Sequence, residues 1–495
     1  MSRRYAGKKE EAFVLSLARG VGVCVCVTPQ TETVTVLSSC THNHTNTKTH
    51  TLIQNLLPMS MAGEQSNRCS SITIPLLEDE KVQQVNGSDG ALDAKTYDLH
   101  TPHVDNASFF KTCFHLINAL SGVGIISMPY ALASGGWLSI SLLFVIAIAC
   151  YYTGMLVKKC MDMDPEIRTF PDIGQRAFGD KGRLIVSIAM NSELYLVVTG
   201  FLILEGDNLN KLVPNVQLQF AGLTFGGTTL FTMIATLVIL PSMLLEDLSM
   251  LFYVSAGGAL ASSIFLLSLF WNGTIDGTGF HAKGSLFRLG GLPAAVSLYA
   301  FCYSAHPILP TLYNSMRDKS QFSRVLCACF SVCTLGYAAA GVLGYLMFGQ
   351  EVESQVTLNL PTGKFSSHVA IFTTLVNPIT KYALMLTPVI NAVKNKISWH
   401  YNKRLTHILV SISMLISTLI VAVAIPLFGY LMSLIGALLS VSASILVPSV
   451  CYLKISGAYQ RFGSEMIINY SIIIMGVIIA VVGTYTSLVD IVHNL

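Results

Sequence analysis

Asn118-Ala119-Leu120-Ser121-Gly122-Val123-Gly124-Ile125-Ile126-Ser127-Met128-Pro129-Tyr130 begins as the middle of an apolar helix, then interrupts it with two glycines one residue apart and a proline five residues later. Glycine loses the most backbone entropy in a helix, and proline removes an N–H donor. The run lies inside an apolar stretch over about 109–132. At a rise of about 1.5 Å per residue, that stretch is long enough to cross a hydrocarbon core about 30 Å thick. Backbone groups freed at that depth cannot be left against lipid, so they face protein, water or a ligand.

The rest of the chain supports lipid as its solvent. Hydrophobic residues make up 52% of the 495 residues and charged residues only 12%, about half the charged share of an ordinary soluble domain. Further apolar runs follow at about 136–158, 183–206, 222–241, 249–271, 289–311, 323–348, 367–393, 404–425, 428–452 and 466–489. The expectation is an all-α integral membrane protein with about eleven transmembrane helices, here called spans 1 to 11. Residues 106–495 form this membrane domain. Residues 1–105, rich in Thr, Ser, Asn and His without helical period, read as a disordered cytosolic tail. An apolar stretch at Val14–Val27 suggests a signal peptide, but Arg19 interrupts it and no small-residue cleavage site follows.

Lys and Arg give the orientation, because basic loops stay on the cytosolic side. With the N-terminus inside, the cytosolic loops beyond the tail hold fifteen of them, among them Lys158, Arg168, Arg324 and Lys394. The opposite side holds only Lys211, Lys283, Arg288 and Lys364. The C-terminus is then outside or lumenal. Asn272-Gly273-Thr274 falls on the non-cytosolic face as an N-glycosylation triplet close to the membrane.

Several function classes fall away. A net charge of +3, scattered among short loops, does not suggest nucleic acid. The twelve cysteines form no CxxC pair and predict neither a disulfide framework nor a metal site. Gly174 to Gly179 has the glycine spacing of a phosphate loop, yet Asp180 follows where Lys is needed, and no HExxH occurs. An enzyme is not expected, and no cofactor is implied.

A second interrupted stretch, Tyr303-Ser304-Ala305-His306-Pro307-Ile308-Leu309-Pro310, lies in span 6. Spans 1 and 6 occupy matching places in two consecutive sets of five that run in opposite directions. This predicts an inverted 5+5 repeat transporter with helices 1 and 6 broken around a substrate at the midplane. Broken helices suit a zwitterion: a half-helix N-terminus receives a carboxylate, and carbonyls at a half-helix C-terminus receive an ammonium. The alternative is that Gly and Pro here only permit kinks and close packing.

Ionisable residues at membrane depth are costly unless paired or wetted. Glu193 in span 3, His306 in span 6 and Lys381 in span 8, with Thr380 beside it, are candidates for handling a coupling ion. Any of the three ionisable groups can take a proton. The Lys381 ammonium can also stand where a sodium ion would otherwise tie span 1 to span 8; alternatively it serves backbone carbonyls or an acid such as Glu193. His306 can equally be a hydrogen-bonded cap on loosened backbone. Glu205 and Asp207 close span 3 and read as solvated at the rim. Tyr195 and Thr199, at i and i+4, share a face that looks into the cavity or else packs on a neighbour.

These same residues resemble a known group. The run from Phe110 to Ala131, Thr169-Phe170-Pro171-Asp172-Ile173-Gly174 with Ala177-Phe178-Gly179, Ile203-Leu204-Glu205-Gly206-Asp207-Asn208-Leu209, and Tyr303 to Pro307 with Pro310 and Tyr313 resemble the amino acid/auxin permease family. Within it the resemblance is to the vacuolar amino acid transporter branch of plants and fungi. It implies an eleven-helix version of the amino acid–polyamine–organocation, LeuT-like fold and proton-coupled exchange of neutral amino acids across the vacuolar membrane. It also implies a substrate held around Asn118, Ser121, Gly122 and Gly124, with Ile125 beside them, and around Tyr303, Ser304 and His306. The competing expectations are an amino-acid-sensing membrane receptor with little transport and a sodium-coupled plasma-membrane carrier.

Overall fold

The computed structural model describes residues 23–27, 34–38, 107–220, 223–244, 251–396, 403–460 and 463–494. In the N-terminal unit, β1 (Val23–Val27) pairs antiparallel with β2 (Val34–Ser38), Val23 facing Ser38. The remainder of the expected tail lies outside the described residues.

The second unit is helical. Span 1 is two helices, α1 (Phe109–Leu120) and α2 (Gly124–Gly135), bent by 49° at Ser121–Val123. The glycines at 122 and 124 mark the bend. Pro129 lies within α2, where its ring fills the space left by Gly344; a Cβ on Gly344 would meet the ring at 2.4 Å. Span 2 is α3 (Ile140–Met163). α4 (Phe170–Leu212) holds span 3 and opens with a capping box between Thr169 and Asp172. Gly179, at φ 67°, separates its first turns from the spanning part, a conformation glycine adopts without a Cβ penalty. A short hairpin, β3 (Leu218–Phe220) with β4 (Leu223–Phe225), leads to α5 (Gly227–Met243) and α6 (Leu251–Thr274), which are spans 4 and 5.

Span 6 is α7 (Leu292–Cys302), a short 3-10 turn at His306–Ile308 and α8 (Leu309–Ser315). Pro307 and Pro310 each stand at the start of a helical piece, where the missing N–H has no intrahelical partner to lose, so they restart the helix after the break. Asp318 caps the following turn, and bonds from Ser320 and Gln321 hold its carboxyl below the ordinary carboxylate range. Spans 7, 8 and 9 are α9 (Phe322–Phe348), α10 (Phe365–Lys396) and α11 (Lys403–Ala424). Span 10 begins as α12 (Phe428–Leu434), widens into π-helix at Ile435–Ser440 and Ser442–Leu446, and ends as α13 (Val447–Ser456). Span 11 is α14 (Ser464–Asn494).

Among the described residues, nine helices are long and apolar enough to cross a membrane, and the bent pair α1 and α2 makes a tenth span. α5, at 17 residues, is a shorter apolar helix at the low end of the spanning range, so about ten spans stand against the eleven expected. Only 17% of the apolar window of α14 is buried, which suits a helix whose solvent is hydrocarbon.

Contacts between helices use small residues, as expected where no hydrophobic effect drives association. α2 packs on α7 and α9, α6 on α10, and α4 on α10. A Cβ on Gly436 would lie 2.0 Å from the Ser297 carbonyl oxygen, so span 10 approaches α7 at backbone distance. Asn272 is fully buried; its amide donates to Ser268 O and Ser366, and its Oδ1 accepts from Ser367. The glycosylation reading of this triplet is therefore withdrawn, since the side chain is committed to α10.

Candidate functional site

The two breaks lie side by side. A Cβ on Gly124 would fall 2.4 Å from Cys302 Sγ, so the start of α2 rests directly on the end of α7. Tyr337 of α9 joins them: its hydroxyl is 2.5 Å from Leu120 O and 3.0 Å from Cys302 O, the last carbonyls of α1 and α7. Both carbonyls belong to half-helix C-termini, where the helix dipole is negative. One phenolic proton is therefore shared between two acceptors in the interior of the fold.

At span 1 the backbone carries the polarity. Lys381, 5% exposed, donates from Nζ to Asn118 O at 2.8 Å, and a Cβ on Gly122 would sit 3.8 Å from that ammonium. Ser262 of α6 donates to Ser121 O at 2.9 Å. The Asn118 amide packs where Gly258 has no side chain. Asn118 Oδ1, Ser121 Oγ and Asn377 Oδ1 are buried without a hydrogen-bond partner. A cavity of about 20 Å³, room for roughly one water, lies between Gly122, Ile125, Ser262, Thr374 and Asn377.

Span 6 covers its break with side chains. Ser304 donates to Glu193 Oε1 at 2.5 Å, and Ser440, from the π-helical part of span 10, donates to the same oxygen at 2.6 Å. Ser444 completes the group at 3.4 Å from Ser304. Glu193 is 5% exposed, and no ion pair to it occurs among the described residues. The Tyr303 hydroxyl donates to Thr334 of α9 at 2.8 Å, and its ring stacks on Phe330. His306 Nε2 lies 3.0 Å from Thr153 Oγ1 and 3.1 Å from Cys150 O, both on α3.

Asn118, Ser121, Gly122, Gly124 and Ile125 thus gather at one break, and Tyr303 and Ser304 at the other. His306 turns to α3 as a hydrogen-bonded core histidine. Tyr195 is not brought in: its hydroxyl pairs with Ser417 of α11, while Thr199 donates to Tyr195 O. Thr380 is exposed beside Phe372 and Val376 and donates to carbonyls of its own helix, so it faces away from Lys381's site. The expectation for Glu205 also changes. It is fully buried, and the turn at Val356–Leu358 packs on α4, with Gln355 bonded to Asp207 and Asn208 at its end.

Ser440, Tyr337, Ser262 and Asn377 were not singled out from the sequence. They are neutral residues on apolar helices, and only their neighbours mark them.

The profile described as "Transmembrane amino acid transporter protein" matches residues 105–489. The chain belongs to this family. Similar members are the Arabidopsis thaliana proteins named amino acid transporter AVT1J, 57% identical over 78% of this chain and 92% of that one, and AVT1I, 52% identical over 80% and 98%. The family member is also similar to MhsT in complex with L-phenylalanine, at 12% identity and a TM-score of 0.46 over 76% of this chain and 99% of that one. A sodium-coupled sialic acid symporter gives 11% identity and 0.48 over 76% and 89%.

Proposed function

We propose that this transporter-family protein moves neutral L-amino acids across the vacuolar membrane by secondary active, proton-coupled transport with alternating access. The observation that carries the reading is the meeting of the α1 and α7 C-termini at adjacent breaks inside the bilayer. Carbonyls there suit an ammonium, and the N–H groups that open α2 suit a carboxylate. The relatives' printed names, amino acid transporters, agree with such a substrate.

Coupling to protons rather than sodium is supported by the two charged bridges between the breaks and the rest of the bundle. Lys381 supplies a fixed cation to the Asn118 carbonyl, a place that a mobile cation would need. Glu193 ties the span 6 break to span 10 and is the carboxyl best placed to take a proton, because its bond to Ser304 links protonation to the unwound segment. Alternating access then rocks spans 1 and 6 against a scaffold containing spans 3 and 8.

The test is flux of a radiolabelled neutral amino acid into proteoliposomes. Uptake should require a pH gradient and be indifferent to replacement of sodium by choline, and Glu193→Gln should retain exchange while losing acid stimulation. Uptake that needs sodium would remove proton coupling. Saturable binding without flux would favour a receptor.

A further inference from the structure

α4 carries a second buried carboxyl. Glu205 lies twelve residues beyond Glu193, about 18 Å along the helix, at the end that the loop charges assign to the non-cytosolic side. It is 0% exposed, and neither Oε1 nor Oε2 has a hydrogen-bond partner. Most buried polar atoms in folded proteins are paired. An ionised carboxylate with neither oxygen satisfied is among the costliest groups to bury.

Among the described residues, no donor reaches either oxygen. Asn208, one turn on along the same face, is also fully buried; its amide nitrogen donates to Gln355 Oε1 at 2.6 Å, and its own Oδ1 is unpartnered. Gln355, itself 0% exposed, spends its amide nitrogen on Asp207 Oδ2 at 2.8 Å. Thr357, two residues further along the covering loop, holds another unpartnered buried oxygen. From α5, Thr232 faces Gly206 and donates to Thr228 O. Asp207, two residues on, bonds instead to Gln355, and no ion pair to Glu205 occurs among the described residues. A proton on Glu205 removes its charge, and a neutral carboxyl costs far less to bury without a donor than a carboxylate does.

We propose that Glu205 is a proton-loading site at the non-cytosolic mouth of the carrier, a role that rests on the proton-coupled reading above. The carboxylate takes one proton from the acidic compartment when the covering loop lifts, and holds it as a neutral carboxyl when the loop closes. Its charge changes from −1 to 0, so closure becomes permissible only after loading. The site is separate from the Glu193–Ser304–Ser440 bridge and lies under a different element.

The experiment uses full-length protein in proteoliposomes with two readouts, counterflow exchange of labelled amino acid and accumulation driven by a pH gradient. Glu205→Gln keeps the size and a donor while removing titration. The expected result is counterflow within about twofold of the unaltered protein, with gradient-driven accumulation reduced to equilibration. Accumulation with an unchanged pH dependence overturns the proposal, and so does parallel loss of counterflow, which would mark a purely structural group. Failure of the unaltered protein to respond to any pH gradient overturns proton coupling itself, and the role of Glu205 with it.

Discussion

The two breaks solve the same problem by opposite means. At span 1 the interruption is made of small residues, and its exposed carbonyls are served from outside by Lys381, Ser262 and Tyr337. At span 6 the interruption brings its own side chains: Tyr303, Ser304 and His306 each reach a different neighbouring helix. The neutral bonds of Tyr303, His306 and Tyr337 run among spans 1, 2, 6 and 7. The two bonds that involve an ionisable acid or amine, Lys381 to span 1 and Glu193 to span 6, reach out to spans 8 and 3. Neutral groups thus hold the broken helices to one another, and ionisable groups join them to the scaffold they are proposed to rock against.

The largest expected effect comes from ending the close approach of the breaks. Gly124→Leu should lower uptake by about two orders of magnitude, since overpacking costing roughly 3 kcal/mol translates to about that factor. Surface biotinylation or fractionation should still find the protein in the membrane. Normal uptake would mean that α2 does not rest on Cys302.

Lys381→Ala comes next. It leaves the Asn118 carbonyl without its charged donor, a loss of about 1.5–3 kcal/mol, and flux should fall by at least about tenfold. Flux measured with and without sodium sharpens the comparison: partial recovery in sodium would identify the ammonium as a cation's equivalent, whereas undiminished flux would break the bridge to span 8.

Tyr337→Phe removes a single oxygen. The shared bond is worth about 1–1.4 kcal/mol, so KM should rise roughly five- to tenfold with kcat nearly unchanged, because the end carbonyls lose alignment while the rings remain packed. A fall in kcat at constant KM would contradict a positioning role. The smallest effect belongs to Tyr195→Phe, where KM should stay within about twofold, as for a substitution away from the site. A large rise there would return Tyr195 to the pocket.

Much of this architecture was legible in the chain because its signals are local. Gly122, Gly124 and the Pro307–Pro310 pair disturb a helix wherever they stand, and a lysine in an apolar run announces itself by cost alone. What escaped was direction. In a helix apolar all round, periodicity does not say which face turns inward, so Tyr195 read as a pocket residue and Thr380 as a coupling-ion candidate, although one pairs with α11 and the other faces outward. Ser440 escaped for a related reason: it lies 247 residues from Glu193, on a π-helical stretch that nothing in its composition marks. Glu205 was misread as solvated because counting residues to the end of a span does not reveal that a loop 150 residues later folds over it.

Lys381 has an electrical consequence. Its charge is covalently tethered to α10, so it cannot dissociate when the carrier resets, and membrane voltage does no net work on it over a full cycle. Under the proposed cycle a neutral zwitterion contributes no charge either. Current recorded during turnover would then count the coupling ions that cross, each unit charge worth about 2.3 kcal/mol per 100 mV.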